Sequence, residues 1–280
     1  MVLRKKVDLM RKPRVFIFGA GKVGTSLSRG LRAAGYTVQL RAARRGVPKR
    51  EIAADFVILA VRDPSIGQVA KALADARVIA ASAIVVHTAG ALGPEVLMPL
   101  AAQVAGAGQM HPLYAFAAPV KDPRALEGAL VLATGDAPAV RMVKKIANSL
   151  GLRVAVIPKM DRARYHAAAA LLANGTATLA ALACALIVEA GLPKARASGA
   201  LAALLRSVAL NLETVGSPHL LTGPVRRGDL QAVRRQAAIL SGPALQAFRG
   251  LLPSQLELAR AIGDAPKDAL DAIARWRPAT

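Results

Sequence analysis

Three glycines near the N-terminus have the spacing of a loop that binds phosphate. Gly19, Gly21 and Gly24 follow an apolar segment and precede an amphipathic one, where a strand would give way to a helix. The first glycine permits a tight turn, the second lets the backbone approach a pyrophosphate, and the third lets helix and strand pack closely. Free N–H groups at the helix N-terminus then attract the phosphates. We predict a dinucleotide site formed by Gly19, Ala20, Gly21, Lys22, Val23 and Gly24.

The residues after the second predicted strand indicate which dinucleotide binds. An NAD site has an acidic residue there, which holds the ribose 2′-hydroxyl. This chain has Arg41, Arg44 and Arg45 instead. A guanidinium can form a bidentate bond with a 2′-phosphate, so these residues predict NADP as the cofactor. The alternative is that they are surface charge in an arginine-rich chain. Val61 and Asp63 after the third strand, and Thr88 after the fourth, are expected to border the same site. The alternative for Asp63, which precedes a proline, is that it caps the following helix.

Histidines are the candidate proton donors. Hydride transfer to a carbonyl or imine needs an acid or a hydrogen-bond donor near the reacting atom, and histidine suits this near neutral pH. His87 ends a predicted strand, and His111 follows the short apolar run 106–110. Ligands of doubly wound sheets bind beyond such strand ends. The alternative for His87 and Thr88 is that they satisfy backbone groups of their own loop.

Two further candidates lie on the first helix of the second half. His166 is near its start, and Asn174, two turns later, would lie on a similar side. An amide inside an apolar helix needs a partner or a ligand, which favours a site role for Asn174. His166 could instead pack between domains.

A glycine- and proline-bounded segment near the C-terminus supplies the candidate substrate residues Thr222, Arg227 and Asp229. Arg227 could hold a substrate carboxylate or a cofactor phosphate. Asp229 could instead cap the helix that follows it. No cysteine or histidine spacing suggests a metal site, and the single cysteine, Cys184, lies in apolar surroundings typical of core packing.

The elements that must position these residues alternate between strands and helices in the first half of the chain. Alternation of this kind predicts βαβ units and a mostly parallel, doubly wound sheet. After Pro158 no strand is predicted and long Ala/Leu helices follow. We therefore predict a flexible basic tail over 1–12, an α/β nucleotide-binding domain over 13–157 and an all-α domain over 158–280. The predicted strands are 14–18, 37–40, 55–60, 84–87, 129–133 and 153–157, and the predicted helices include 23–34, 66–74 and 138–150.

Composition limits the class of partner. The formal charge is +21, but aromatic residues are only 3% and the arginines are spread through the chain, which argues against specific nucleic-acid binding. The segment 167–192 is nearly apolar, yet polar residues interrupt it and no second such span exists, so we expect a helix buried in a domain or dimer core rather than in a membrane. The basic N-terminus offers no cleavage site of a signal peptide, which predicts a cytoplasmic protein.

The order of several short segments resembles a known family. The segments are the glycine loop, AVRDPSI at 60–66, VHTAG at 86–90, QMHPL at 109–113, Tyr165-His166 with Asn174, and LTGPVRRGD at 221–229. Together they resemble bacterial Rossmann-like proteins with a DUF2520 helical domain. Those proteins are similar to pyrroline-5-carboxylate reductases and to the 6-phosphogluconate dehydrogenase C-terminal superfamily.

The resemblance implies a Rossmann domain followed by a helical domain, a homodimer formed through the helical domain, and an NADP-dependent oxidoreductase. Two positions depart from the pattern. Ala89 stands where the family commonly has a serine, and Ala170 stands where hydroxyacid dehydrogenase relatives have a catalytic lysine. The leading hypothesis is an NADPH-dependent reductase of a small, acidic carbonyl or imine compound. Its alternative is an NADP-binding sensor without turnover, which the two departures favour and the retained histidines do not.

Overall fold

The computed structural model describes residues 11–276, and the chain divides into two compact units within a long helix, after Leu171. Most of the predicted basic tail, residues 1–10, lies outside the described residues. Lys12 donates to the carbonyl of Ala34 and lies over the ring of Tyr36. The last residue of the predicted tail therefore contacts the rest of the first unit. The predicted boundary at Pro158 falls between the last strand and the long helix.

The first unit contains a seven-stranded sheet with the strand order β2-β1-β3-β4-β5-β6-β7. All neighbouring strands are parallel except β5 and β6, which confirms the predicted α/β class with a mostly parallel sheet. The strands are β1 (Val15–Phe18), β2 (Val38–Arg41), β3 (Phe56–Leu59), β4 (Ile84–His87), β5 (Gly106–Leu113), β6 (Leu130–Gly135) and β7 (Arg153–Ala155). The helices are α1 (Lys22–Ala33), α2 (Ile66–Ala76), the short α3 (Met98–Ala101), α4 (Ala137–Ser149) and α5 (Arg162–Glu189), which continues into the second unit.

The central strands are buried on both faces because helices cover both. Side chains alternate between the faces, so Val15 and Ile17 of β1 join one apolar cluster while Phe16 and Phe18 join the other. The first cluster includes residues of α1 and α4, and the second includes residues of α2. This explains why β1 and β3 read as continuous apolar runs in the sequence.

The strand order changes direction at β1, which is the topological switch point of the sheet. One neighbour of β1 is β2 and the other is β3, so the chain leaves β1 first to one side and then to the other. A crevice opens at the carboxyl end of the strands at such a switch point. Two glycines of the predicted dinucleotide loop, Gly19 and Gly21, lie there between β1 and α1, and the third, Gly24, is in the first turn of α1.

The fifth strand is longer than the sequence suggested. The predicted strands include none here, and the sequence shows only a short apolar run at 106–110, whereas β5 extends from Gly106 through His111 and Pro112 to Leu113. β4 pairs with β5 only as far as Gln109, so beyond it β5 has a neighbour on one side only, where a proline is tolerated. His111 is therefore held by strand pairing with Leu132 of β6 rather than by a loop.

The second unit is helical, as predicted. It contains the rest of α5, then α6 (Lys194–Thr214), α7 (Leu230–Ala238), α8 (Gly242–Ile262) and α9 (Lys267–Arg275). Its core is formed by α7, α8 and α9 with Val225. In contrast, no residue of α5 is buried and Ala197 is the one buried residue of α6. The expected burial of 167–192 is therefore not found within this chain, and among the described helices α5 is the one long and apolar enough to cross a membrane, by length and composition alone.

Candidate functional site

A cavity of about 760 Å³ opens beside the glycine loop. This volume lies within the usual range of about 300–1,000 Å³ for sites that bind cofactors and small molecules. Its walls come from the ends of β1 and β3, the turn after β2 and the start of α2, and none of the residues that line it is acidic. The lining residues are Phe18, Gly19, Ala20, Gly21, Ala42, Ala43, Arg44, Gly46, Val47, Ala60, Val61, Arg62, Ser65, Gln68, Val69 and Ala72.

The three glycines of the loop meet different constraints. Gly19 has φ +121°, and a Cβ there would lie 2.2 Å from the carbonyl oxygen of Ala60. A Cβ on Gly24 would lie 1.9 Å from the carbonyl oxygen of Gly19. The fold itself therefore requires both residues to be glycine. Gly21 has no atom within 4 Å of an added Cβ, so the fold leaves room for a side chain there.

Gly21 is also the N-cap of α1, and no side chain caps the helix at that end. The first turn of α1 contains no acidic residue, and Lys22 is exposed at its start. The uncapped N–H groups and the partial positive charge of the helix end suit an anion. Of the remaining predicted residues, Val23 packs partly into the core and does not line the cavity.

The three predicted arginines have separate roles. Arg41 donates from Nε to the carbonyl of Gly46 (2.8 Å) and from a terminal nitrogen to the carbonyl of Arg45 (2.7 Å). These bonds hold the turn that carries Arg44, which is exposed and lines the cavity. Arg45 is exposed but does not line it. Arg41 thus shapes the turn, and Arg44 is the arginine of the three that faces the cavity.

A second arginine of the cavity, Arg62, was not predicted. It follows β3, is exposed and lines the cavity together with Val61. The signal was present, because residues just beyond a parallel strand border the ligand crevice. Asp63 and Thr88 do not line the cavity: Asp63 begins a 3₁₀ turn before α2, and Thr88 is buried beyond the end of β4.

His87 is fully buried, and both its ring nitrogens contact the loop that follows β4. Nδ1 accepts a hydrogen bond from the N–H of Ala89 (3.2 Å), and Nε2 lies 3.0 Å from the carbonyl oxygen of Gly93. This arrangement fits a neutral ring with its proton on Nε2. Burial lowers the pKa of His87, which keeps the ring neutral. The geometry favours the alternative of a loop-positioning histidine over a proton donor, because no ring nitrogen is left for a substrate.

His111 forms a pair with Tyr165, a residue that the sequence analysis did not select. Nδ1 of His111 and the hydroxyl of Tyr165 are 2.8 Å apart, and the two rings meet edge to face with centroids 5.6 Å apart. Burial, and next the charges of His166 and His87, lower the pKa of His111 to about 4. Burial also raises the pKa of Tyr165. At neutral pH the pair therefore consists of an uncharged imidazole and an uncharged phenol, which can pass a proton along their shared hydrogen bond.

Further hydrogen bonds join side chains of β5, β6 and the start of α5 in the neighbourhood of the His111–Tyr165 pair. Gln109 is fully buried, donates to the carbonyl of Ala89 (2.6 Å) and accepts from the hydroxyl of Thr134 (3.0 Å). Thr134 in turn accepts from the guanidinium of Arg162 (3.3 Å). Gly90 leaves room for the imidazole, since a Cβ there would lie 2.7 Å from Nε2 of His111. Gln109 and Thr134 are thus fixed by hydrogen bonds that link the loop after β4, the strands β5 and β6, and Arg162 at the start of α5.

The two predicted candidates on α5 are both exposed. His166 lies one turn into α5, where its charge acts on His111. Asn174 belongs to the second unit, and its backbone carbonyl accepts from Thr178 (2.9 Å). Its amide is exposed, so water can satisfy it and the expected need for a buried partner does not arise.

The predicted substrate segment serves mainly to hold the second unit together. Asp229 accepts from the N–H of Ala232 (2.9 Å) and caps α7, which was the alternative role. Arg226, which was not predicted, bonds Asp264 and the carbonyls of His219 and Leu221. Thr222 and Arg227 are exposed. Among the described residues, no group of three or more His, Cys, Asp or Glu side chains could hold a metal ion.

The sheet order and the crevice at β1 define a Rossmann-type fold, and comparison with known proteins specifies it further. Residues 40–112 match the model of the Rossmann-like domain, and residues 129–253 match the domain of unknown function DUF2520. The chain therefore contains a Rossmann-like domain and a DUF2520 domain, which confirms the resemblance seen in the sequence. No curated protein sequence matches the chain significantly.

Several solved structures share the fold over nearly their whole length. A Bacteroides fragilis protein, provisionally described as an NADP oxidoreductase, has a TM-score of 0.67 at 19% identity over 90% of this chain and 98% of its own. Protein TM1727 from Thermotoga maritima has a TM-score of 0.63 at 25% identity over 89% and 99% of the two chains. The pyrroline carboxylate reductase of Plasmodium falciparum, solved with NADP bound, has a TM-score of 0.57 at 13% identity over 94% and 96%.

Proposed function

We propose that the protein is an NADP(H)-dependent oxidoreductase that reduces a small carbonyl or imine compound. The observation that carries the proposal is the cavity beside the glycine loop, which has Arg44 and Arg62 in its walls and no acidic residue. The open N-terminus of α1 would hold the pyrophosphate, and Arg44 would bind the 2′-phosphate. Bound NADPH would supply the hydride.

The chain itself must supply the proton that accompanies a hydride. The His111–Tyr165 pair is the best candidate because it combines two groups that can donate, joined by a hydrogen bond of 2.8 Å. With its pKa at about 4, His111 does not act as an imidazolium near neutral pH. We infer that Tyr165 or the neutral imidazole donates to the developing oxyanion or nitrogen, and that His166 lies close enough to influence the donor.

Replacing Arg44 with glutamate tests the cofactor assignment. A carboxylate would repel the 2′-phosphate, whereas NADH lacks this group, so we expect NADPH affinity to fall about 10- to 100-fold and NADH affinity to change little. Isothermal titration calorimetry measures both. Arg45→Glu is the matched control because Arg45 is in the same turn but outside the cavity lining. Equal losses for both cofactors, or for both variants, would contradict the assignment to Arg44.

The alternative of an NADP-binding sensor is favoured by one observation, the alanine at position 89. Its backbone is held on both sides, by His87 and by Gln109, but its methyl group offers no hydroxyl to a substrate. Consumption of NADPH with a panel of 2-keto acids, cyclic imines and aldehydes separates the two hypotheses. A protein that binds NADPH and reduces no member of the panel supports the sensor.

We further propose that the protein is a cytoplasmic homodimer joined through the helical domain. Large apolar side chains of α5 and α6 are exposed in the single chain, among them Leu171 (78%), Leu172 (66%) and Leu204 (61%). An apolar surface of this kind is typical of an obligate interface. Together α5 and α6 leave a wide apolar surface that a second copy could cover.

Replacing Leu204 with glutamate tests the dimer. A charge buried at an apolar interface is costly, so we expect the variant to sediment as a monomer where the unmodified protein sediments as a dimer. Analytical ultracentrifugation at several concentrations measures this. Met98→Glu is a control, because Met98 is also a strongly exposed apolar residue (75%) but lies in the first unit. A monomeric unmodified protein, or one that is recovered only with lipid vesicles, would overturn the proposal.

A further inference from the structure

Arg162, the first residue of α5, is a partly buried cation without a carboxylate partner. One terminal nitrogen donates to the hydroxyl of Thr134 (3.3 Å), while Nε is buried and has no hydrogen-bond partner. No ion pair joins Arg162 to an acidic residue within the described part of the chain, whereas Arg164, two residues later, pairs with Asp161 at 3.5 Å. Removing a guanidinium from water without a counter-charge is costly, so such a group calls for an explanation.

The position of Arg162 connects it to the His111–Tyr165 pair. Residues three and four apart share a helix face, so Arg162, Tyr165 and His166 lie on one side of the first turn of α5. Tyr165 bonds His111 directly. From the other direction, Arg162 bonds Thr134, which bonds Gln109, and Gln109 lies two residues before His111 on the same face of β5.

The charge of Arg162 and the uncharged side chains around it favour the binding of an anion. Burial lowers the pKa of His87 most, and the positive charge of Arg162 adds to this, while Asp63 and Glu95 act in the opposite direction. The hydrogen-bonded side chains around it, those of Thr134, Gln109, His111 and Tyr165, are uncharged at neutral pH and cannot neutralise a guanidinium. A planar carboxylate matches the fork of N–H donors of a guanidinium, and Nε of Arg162 has no partner.

We propose that Arg162 binds a carboxylate of the substrate and so selects acidic substrates for the His111–Tyr165 pair. The inference rests on the proposed function, because it concerns the substrate of that same site. It assigns the carboxylate to the first turn of α5, whereas the sequence analysis named Arg227 as a residue that could hold either a substrate carboxylate or a cofactor phosphate. Arg227 is exposed in the second unit, and among the described residues its side chain contributes no buried nitrogen that lacks a partner.

The test compares small molecules that differ in a carboxylate. The probes are tetrahydrofuran-2-carboxylate with tetrahydrofuran-2-methanol, and pyruvate with acetone, titrated into the full-length protein with and without NADP by calorimetry. A charge-assisted bond predicts that the unmodified protein binds the acid of each pair about 10- to 100-fold more tightly. In Arg162→Gln, which keeps a donor for Thr134, this preference disappears. In the control Arg164→Gln it persists.

The results distinguish a failure of the proposed function from a failure of the inference about Arg162. If NADP binding itself is not observed, the proposed function fails, but the titrations without NADP still report on Arg162. An unmodified protein without a preference for the acids, or an Arg162→Gln variant that retains the preference, overturns the inference. Thermal denaturation shows whether the variant is folded. If it is not, Arg162→Lys replaces it: this variant keeps the charge but loses the planar fork, and it must bind the acids less tightly than the unmodified protein.

Discussion

Replacing Gly21 with alanine is expected to abolish NADPH binding while leaving the fold intact. An added Cβ at this position meets no atom within 4 Å in the protein, so the free energy of unfolding should change by less than about 1 kcal/mol. The methyl group would instead occupy the space through which the pyrophosphate approaches the backbone. We expect NADPH affinity to fall by about 100-fold or more, measured by calorimetry on a variant whose melting temperature matches that of the unmodified protein.

Gly24→Ala supplies the contrasting control. Its Cβ would lie 1.9 Å from the carbonyl oxygen of Gly19, so β1 and α1 would have to separate. We expect this variant to lose several kcal/mol of stability, as overpacked cores do, with NADPH binding lost as a consequence of the damaged loop. A Gly21→Ala protein that binds NADPH normally would show that the cavity beside the loop does not hold the pyrophosphate.

Replacing His111 with glutamine is expected to lower kcat by about 10²- to 10⁴-fold for any substrate that the panel identifies, with NADPH affinity unchanged. Glutamine can still reach a hydrogen-bond partner but cannot relay a proton with Tyr165. His111 is outside the lining of the cofactor cavity, which is why binding should survive. Steady-state kinetics and calorimetry measure the two effects. His219→Gln serves as the control because His219 is exposed in a loop of the second unit.

The pH dependence gives a second measure of His111. Because its pKa in the folded protein is about 4, below the ordinary value of 6.5, the unfolded chain binds more protons between these pH values. Stability should therefore fall as the pH is lowered from 6.5 to 4, and this loss should be smaller in His111→Gln. The rate should show no decline near pH 6.5 that belongs to His111. A kcat unaffected by the substitution would exclude His111 from the proton transfer.

Much of the fold could be predicted because it depends on local patterns. The apolar strands, the helices between them and the glycines at 19, 21 and 24 are determined by alternation and spacing within short stretches of chain. The positions of β1 and β4 agree with the predicted ranges to within one residue at each end. The clearest departure is β5, which was not among the six predicted strands, and whose last residues depend on pairing with β6 rather than on their own sequence.

The site was harder to predict because its side chains are defined by partners distant in the sequence. Nothing near Arg41 shows that its guanidinium bonds the carbonyls of its own turn, or that Arg62, from another strand, shares the cavity with Arg44. Tyr165 becomes a candidate only because β5 brings His111 to within hydrogen-bond distance of it. Spacing predicted where a ligand would approach the sheet, and the structure shows which of the predicted side chains line the cavity there.

For the long exposed helix α5, the sequence did not predict which surface covers its apolar side chains. The apolar composition of 167–192 correctly indicated a helix, but not the surface that would cover it. Periodicity reports how apolar a helix face is, whereas its partner can be the same chain, a second copy or lipid. The sequence also did not predict that the two units divide inside α5. A continuous helix carries no local signal that shows where its packing changes from one unit to the other.

Titration of the unmodified protein with NADPH and with NADH tests the central claim most directly. Calorimetry at constant salt gives both dissociation constants in a single preparation. The cavity with Arg44 and Arg62 and without acidic residues predicts that NADPH binds at least about 10-fold more tightly than NADH. Equal affinity for the two, or no binding of either, would contradict the proposal that this is an NADP-dependent protein.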